Sequence, residues 1–364
     1  MAAAVASPAQ HRRRTRRPAT RRPGHSRPGG LGRDRAADRD ASMMTTPPGR
    51  QAGIAVLTAI LVVAIATVLA VNLLWQTSVG LTRTENLLLQ DQARQYDLGG
   101  EEFARFGLAE DYRDDGENGS DTIQENWAKP LAFDVEAGKL EGYLQDQQGR
   151  FNLNGLIGKD GKRIEEVRDQ FQRLLLLLPL ERPLDEGTAA ALADATVDWI
   201  DPGTDVEAVG AEDDQYTGRQ PPYRPANFWL VSTSELLAVE GYTAEIYAAL
   251  QPHVTALPPP PTDGQSWTLN VNTATDLVLA SLLPNLSALD VEPFVNGAYD
   301  DAADFKTDFP GSEGISPKIP LGVGSNWFLL TVTASIGTAQ STMYSLLERS
   351  RDVVRTRLRT FDAN

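Results

Sequence analysis

Cysteine is absent from all 364 residues, so no disulfide staples this fold and no thiol nucleophile is available. Histidine is nearly absent: His11, His25 and His253 are the whole set, and only the last lies beyond the N-terminal segment. A Ser-His-Asp triad or a multi-histidine zinc site therefore has too few candidates in the bulk of the chain. Basic residues are scarce there as well. Residues 54–364 hold 22 Lys and Arg against 46 Asp and Glu, a net of −24. A surface of that sign repels a nucleic-acid backbone. Residues 1–53 are the reverse, with 12 Arg and three Asp for a net of +9.

Between the two lies "GRQAGIAVLTAILVVAIATVLAVNLLWQ", in which Ile54 to Trp75 are 22 residues without a charge. About 20 helical residues cross a hydrocarbon core of ~30 Å, so the segment fits one span. Basic residues before it and acidic ones after it place Arg50 in the cytoplasm and the large domain outside. Residues 1–49 are rich in Arg, Pro, Ala and Gly with no apolar period, and are expected to be disordered. Met43 or Met44 is an alternative start that leaves a short leader ending in "TTPPGRQAG". For "RRTRRPATRR", a misplaced start or a solvated tail outweighs a twin-arginine signal or a nucleic-acid site.

Three readings of the apolar segment stay open on these residues alone. A cleaved secretory signal has a 7–15-residue apolar core, which this one exceeds, and a small-x-small site, for which "LLWQTS" offers poor small residues. A plain signal anchor explains length and charge but gives Gly53 no role. A prepilin-like leader is cut on the cytoplasmic side, where glycine lets the backbone approach an enzyme closely. Past Trp75, residues Leu81, Leu88, Gln92, Tyr96, Phe103 and Phe106 recur at near-helical spacing and predict an amphipathic continuation. Gly80 and the Gly99–Gly100 pair are points where it bends or ends.

Farther on, "KLEGYLQDQQGRFNLN" alternates from Leu140, which predicts strands of a small sheet on the long helix, with a turn at Gln148–Gly149. In "GRFNLNGL", Phe151 and Leu153 read as core and the asparagines as turn caps. Helical periods cover 163–178, 188–200 (stopped by Pro202), 243–250, 273–283 and 300–309, and "STSEL" caps another with Glu235 in its first turn. The five leucines at 174–178 are too few to span a membrane. "LPPPPTDG" at 257–264 is a stiff linker. From Trp327, "WFLLTVTASIG" and "STMYSLLERS" predict a closing antiparallel pair.

The expected class is α+β: an N-terminal transmembrane and amphipathic helix packed on a small antiparallel sheet, with a large, mostly α-helical insertion. The expected divisions are a leader at 1–53, a span at 54–75, helix and first strands at 76–160, the insertion at 161–310, and closing strands with a C-terminal tail at 311–364.

The densest chemistry is "DWIDPGTDVEAVGAEDDQY", with Asp198, Asp201, Asp205, Glu207, Glu212, Asp213 and Asp214 inside 17 residues. Carboxylates so crowded repel one another unless a cation intervenes. Calcium suits an irregular loop because it accepts six to eight oxygens, carbonyls included. The D-x-D-x-D-G order of an EF-hand is missing. A solvated acidic loop is the bland reading, and a hydrolase dyad of Asp198 and Asp201 would need a shaped cleft. Asp198, Asp201, Glu212 and Asp214 are the expected ligands. "LNVNTATDLVLASL" looks like the opening of a helix-hairpin-helix, yet "PNLSALDVEPF" follows without a glycine hairpin, Lys or Arg. It is expected to pack or bind a partner, with Asn272 or Thr273 as helix cap, and no nucleic acid is expected.

Together, "RQAGIAVLTAILVVAIATVLAVNLLW", "RTENLL", "LQDQQGRFNLNGL", "TVDWIDP", "GAEDDQY", "YRPANFWLVSTSEL" and "LNVNTATDLVLASLLP" carry a resemblance. In order and spacing, over nearly all of residues 50–350, the chain resembles the K-type minor pseudopilins of type II secretion. The resemblance implies a pilin-like domain with a helical insertion that binds calcium. It implies cleavage by a prepilin peptidase after Gly53, making Ile54 the new N-terminus. Thr58 then stands at the fifth mature position, where most pseudopilins have Glu and K-type members do not. It also implies a non-enzymatic subunit at the tip of a periplasmic pseudopilus, anchored in the inner membrane, partnered by I- and J-type minor pseudopilins and supporting export across the outer membrane. The extension before Arg50 departs from the family's short leader. The competing expectation is a membrane-anchored periplasmic adaptor or binding domain outside any pilus.

Overall fold

The computed structural model describes residues 52–361 except 117–118, 137, 204–205 and 260–266. The basic leader before Ala52, Asp205 and most of the proline-rich linker therefore lie outside the described residues. The chain divides into two compact units, 1–71 and 72–364.

Helix α1 is Ala52–Asp115. Its apolar residues from Ile54 to Trp75 are exposed, and by length and composition this stretch is fit to cross a membrane. Neither Gly80 nor Gly99–Gly100 ends the helix. Gly100 instead permits contact with the sheet: a Cβ there would lie 2.7 Å from Val332 Cγ2. The expected apolar stripe is also corrected. Leu81, Leu88, Phe103 and Phe106 are exposed, and the buried stripe is Ala93, Asp97, Glu101, Ala104 and Leu108. Those positions keep the three-and-four spacing of one helix face. Small residues bring the backbone close to the sheet, and Glu101 is buried because β-strand donors meet it, as described below.

After α1 come β1 (Leu131–Val135) and β2 (Gly138–Asp146). A turn follows in which Asp146 Oδ1 accepts the Gln148 N–H at 2.7 Å. The turn expected at Gln148–Gly149 is there, but the chain does not fold back onto β2. It leaves through β3 (Phe151–Asn152), which pairs in parallel with the later β4. The helices α2 (Glu165–Leu176) and α3 (Glu186–Ile200) come next. Asp185 caps α3 by accepting the Thr188 N–H at 2.9 Å. Then follow α4 (Asp213–Thr217), α5 (Ala244–Leu250), β4 (Val254–Thr255) and β5 (Leu269–Asn270). The insertion ends with α6 (Asp276–Ser281), α7 (Ala288–Val291), α8 (Ala302–Asp308) and β6 (Leu321–Gly322). Thr275, and neither Asn272 nor Thr273, caps α6. Ser232 and Glu235 form the expected capping box, but on a 3-10 turn.

The chain then returns to β2. Strands β7 (Trp327–Ile336), β8 (Ala339–Ser350) and β9 (Val353–Phe361) complete a five-stranded antiparallel sheet of order β1-β2-β7-β8-β9. β9 lies where a tail was expected. Two buried cores result. One joins α1 to the sheet through Leu108, Trp127, Phe328, Val332 and Met343. The other fills the insertion around Leu153, Phe171, Leu192, Tyr216 and Phe305. Burying one such side chain is worth about 1.5–3 kcal/mol, so each core holds its own layer.

Candidate functional site

Helix α3 positions the acidic loop. Asp198 sits on its last turn, fully buried, and Asp201 follows at its C-terminus, where Pro202 prevents continuation. The loop backbone folds back over Asp198, whose Oδ1 and Oδ2 accept the Glu207 N–H at 3.1 and 3.3 Å. Gly210 makes that closure possible, because a Cβ there would come within 1.9 Å of Asp198 Oδ2. Carboxylate oxygens of Asp198, Asp201 and Glu207 then lie within 4.8 Å of one another. Oxygens around one calcium, each 2.3–2.6 Å from it, are at most about 5 Å apart.

Charge accumulates at this point. Burial, with the nearby Glu212 and Asp201, pushes the Asp198 carboxyl up to about 7, against the pull of the Glu207 and Ala211 N–H groups. Arg163 Nη1 meets Glu207 Oε2 at 2.6 Å, and Arg224 meets Asp213 at 2.9 Å. Arg168 is taken by Asp194 at 2.7 Å. An oxygen-only set around a buried aspartate of raised pKa, with Arg163 covering one side of Glu207, fits a hard cation.

Of the four expected ligands, Asp198 and Asp201 come together. Glu212 is buried and close enough to disturb Asp198, but it serves as N-cap of α4 in a capping box with Gln215. Asp214, expected beside Asp198 and Asp201, is not brought there. It stands in the first turn of α4 with its side chain exposed, outside the group. Glu207 takes the third place, brought in by the fold of the loop and not by any helical spacing.

A second carboxylate group was not foreseen. Asp111 of α1, Asp121 and Glu125 also converge within 4.8 Å. Here the cation is part of the protein: Arg349 of β8 reaches Asp111 Oδ2 at 2.8 Å and Asp121 Oδ2 at 2.5 Å, and donates to the Ser325 carbonyl at 2.7 Å. Its guanidinium lies 5.0 Å from the Phe328 ring centroid. Glu125 is held up by burial and by Asp121 despite bonds from Thr122 and Trp127. One guanidinium thus pairs with two of these three carboxylates, and the third is held by neutral donors.

At the other end of the chain, Gly53 and Ile54 lie in the first turn of α1, exposed. Thr58 is exposed on the apolar stretch and bonds back to the Ala55 carbonyl at 3.0 Å.

Residues 149–259, which contain α2, α3 and the acidic loop, match the family described as "Type II secretion system (T2SS), protein K". The type II secretion system protein K of Pseudomonas aeruginosa is 33% identical over 314 residues, spanning 83% of this chain and 90% of that one. The chain belongs to the type II secretion system protein K family. It is thus a K-type minor pseudopilin, and the family is a structural subunit of a secretion machine. The protein K of Aeromonas hydrophila is 32% identical over 331 residues, spanning 83% of this chain and 94% of that one. Among solved structures, the GspK–GspI–GspJ complex of the enterotoxigenic Escherichia coli type 2 secretion system contains a chain with the same fold. Its TM-score is 0.66 at 24% identity, over 78% of this chain and all of that one. The α+β reading of protein K, a long apolar N-terminal helix with an antiparallel sheet and many helices, therefore holds.

Proposed function

We propose that this protein K is the tip subunit of a periplasmic pseudopilus, installed first and anchored in the inner membrane by residues 54–75. The observation that carries the reading is Thr58, an uncharged side chain inside the apolar stretch. A carboxylate within a membrane is costly and needs a partner. In pseudopilins the fifth-position Glu of an incoming subunit finds the charged N-terminal amine of the subunit already installed. A subunit with Thr58 requires none ahead of it, while its own Ile54 amine receives the next arrival. The insertion supports the same position, because its bulk would obstruct stacking above it. With basic residues before the span and acidic ones after it, residues 76–364 belong in the periplasm.

Two further parts belong to this reading. A prepilin peptidase cuts between Gly53 and Ile54, and the I- and J-type minor pseudopilins are the neighbours. The exposed Phe103 and Phe106 offer those neighbours an apolar helix face; the relative of like fold was solved with GspI and GspJ. The acidic loop holds calcium through Asp198, Asp201 and Glu207. There the ion would supply positive charge that lets the buried Asp198 share one corner with the half-buried Asp201 and Glu207, and Gly210 keeps the space open beside Asp198.

Sequencing the N-terminus of the mature protein tests the first part: it begins at Ile54, and Gly53→Val leaves the precursor uncut. A mature protein that retains residues 44–53 breaks the pseudopilin processing scheme. Co-purification with full-length I- and J-type subunits is expected to give a defined ternary complex. Gold label on assembled fibres is expected at one end; label along their length refutes the tip position.

A further inference from the structure

The two edges of the five-stranded sheet are finished differently. At β9 the Val354 carbonyl is taken by Arg105 of α1, whose Nε and Nη2 reach it at 3.0 and 2.8 Å. At β1 no such cover is found among the described residues. β1 pairs only with β2, in the register Leu131↔Gly142, Phe133↔Leu140 and Val135↔Gly138. Gln147, one residue past β2, donates its N–H to the Trp327 carbonyl at 2.9 Å. Hydrogen-bonded pairs alternate along antiparallel strands, so Glu141 and Tyr143 turn their backbone groups to β7, and Leu140 and Gly142 theirs to β1. Ala132 and Asp134 are thereby left with N–H and C=O on the outer side. An open edge of this kind is a template for another strand.

Beside that edge lies a groove of about 320 Å³ between α1 and β1, at the lower end of the ~300–1,000 Å³ range of ligand pockets. Its helix wall is Gly100, Phe103, Gly107, Glu110 and Asp114, spaced by three and four along one face of α1. Its strand wall includes Leu131 and Phe133, and Phe133 meets Phe103 edge-on at 5.1 Å between ring centroids. All three of these apolar side chains are exposed. Gly107 lines the groove without being required by packing, since a Cβ there would meet nothing within 4 Å. Side chains alternate along a strand, so a chain laid against β1 sends every second one toward this groove.

Charge selects the occupant. Glu110 and Asp114 stand on the groove, exposed and without a salt bridge among the described residues. Asp134 is exposed on the edge strand itself. Lys129, the one cation lining the groove among the described residues, donates to Asn126 Oδ1 at 2.9 Å. A second copy of the chain would bring the same carboxylates face to face, which is unfavourable. An extended segment with basic residues on either side of an apolar one meets them with opposite charge.

We propose that β1 is the docking edge for an extended segment of a different protein. The segment adds a strand to the sheet, seats a large apolar side chain in the groove and sets Lys or Arg beside Glu110 and Asp114. Strand addition is a recurrent mode of peptide recognition, in which main-chain hydrogen bonds give affinity and pockets for alternate side chains give specificity. Neither Gly53 nor Thr58 takes part, so the tip position and this docking edge can fail separately.

The full chain in lipid nanodiscs is titrated into N-terminally fluoresceinated Gly-Thr-Lys-Thr-Phe-Thr-Lys-Thr amide, and binding is read by fluorescence anisotropy. Saturable binding is expected, weakened at least ~10-fold when both Lys are replaced by Glu or when Phe is replaced by Ala. Only alternate N–H groups of an added strand face β1. A backbone N-methyl on Phe and one on the Thr before it are therefore expected to differ at least ~10-fold in effect. Gly107→Leu fills the groove, and Ala132→Pro removes an outward N–H that an edge strand can lose. Each weakens binding at least ~10-fold, with circular dichroism checking that the fold is kept. No saturable binding, equal binding of the Glu peptide, equal effects of the two N-methyl groups, or an affinity unmoved by either variant overturns the proposal. Mass photometry of the chain alone tests the other occupant: a dimer that Ala132→Pro dissolves assigns the edge to a second copy and overturns it as well.

Discussion

The two carboxylate groups have the same membership, three acidic side chains within 4.8 Å, and opposite solutions to it. The group around Asp121 is closed by a guanidinium fixed between β8 and α1. The group around Asp198 is closed by loop backbone, with Arg163 on its outer side. The first is assembled from far apart: Arg349 is separated by 238 residues from Asp111 and by 228 from Asp121. The second is drawn from ten consecutive positions. A cluster paired to a cation from a distant strand ties that strand to α1, whereas one built locally, around a buried carboxyl of raised pKa, is the group on which the calcium proposal rests.

Arg349→Met gives the largest expected effect. It strands Asp111 and Asp121 without their counter-charge, and breaking a buried pair from one side costs about 3–5 kcal/mol. Denaturant unfolding of the full chain in nanodiscs measures it, and calcium is expected not to restore the loss. The second effect is calcium itself. If the Asp198 group holds the ion, wild type gains about 2.7 kcal/mol at a hundredfold excess over Kd, read as a rise in Tm relative to chelator. Asp201→Ala abolishes that rise and Asp214→Ala leaves it intact; the opposite pattern would restore Asp214 as a ligand. A Tm indifferent to calcium in wild type removes the site altogether.

Gly210→Ala comes third. Its Cβ would push into Asp198, and strain of this kind costs about 1–3 kcal/mol. The calcium response is expected to vanish with it. Smallest is Glu101, a third buried carboxylate that extends the comparison. It accepts from Ser345 Oγ at 2.6 Å, Thr356 Oγ1 at 2.7 Å and Arg359 Nη2 at 2.6 Å. Burial alone raises its pKa, but these partners outweigh burial and the net shift is downward. Its contribution is therefore fully present above the unfolded-state pKa and is lost as pH falls through the lower folded-state value. The stability gap between wild type and Glu101→Gln, about 1 kcal/mol at neutral pH, is expected to close on acidification through that window. A constant gap would mean that the carboxylate charge contributes nothing.

What could be read in advance follows the same division. The acidic loop was legible because its members are neighbours in sequence, and the capping residues Ser232 and Glu235 announce their turn locally, whereas Asp185, the cap of α3, went unread. That Glu207, and not Asp214, comes beside Asp198 and Asp201 was not legible. It depends on Glu212 opening α4 and turning Asp214 outward, which no spacing reveals. The buried stripe of α1 was missed because it carries Asp97 and Glu101, whose burial makes sense only once their surroundings are known. Glycines 99 and 100 looked like a break and are, at Gly100, a point of close approach. β9 alternates Val354, Thr356 and Leu358 with three arginines, a period-two signal that was present and was read as a tail. β1 carries a shorter form of the same signal in Leu131, Phe133 and Val135, and it was not read as a strand.

The pairing of β2 with β7 has a consequence for the order of events during synthesis. Gly138 lies opposite Ile336, and the whole insertion is threaded between them. Closing so long a loop is not thermodynamically severe, since each doubling of length adds only about 0.6 kcal/mol. The kinetic consequence is larger, because contacts distant along the chain form late. Three of the five strands leave the ribosome after the insertion, so the sheet must wait while α2 and α3 already have their partners. A chain stopped before Trp327 would carry the anchor and a nearly complete insertion but only the β1–β2 hairpin of its sheet. The last 38 residues thus act as a completion signal: until they arrive, the face of α1 meant for the sheet stays uncovered.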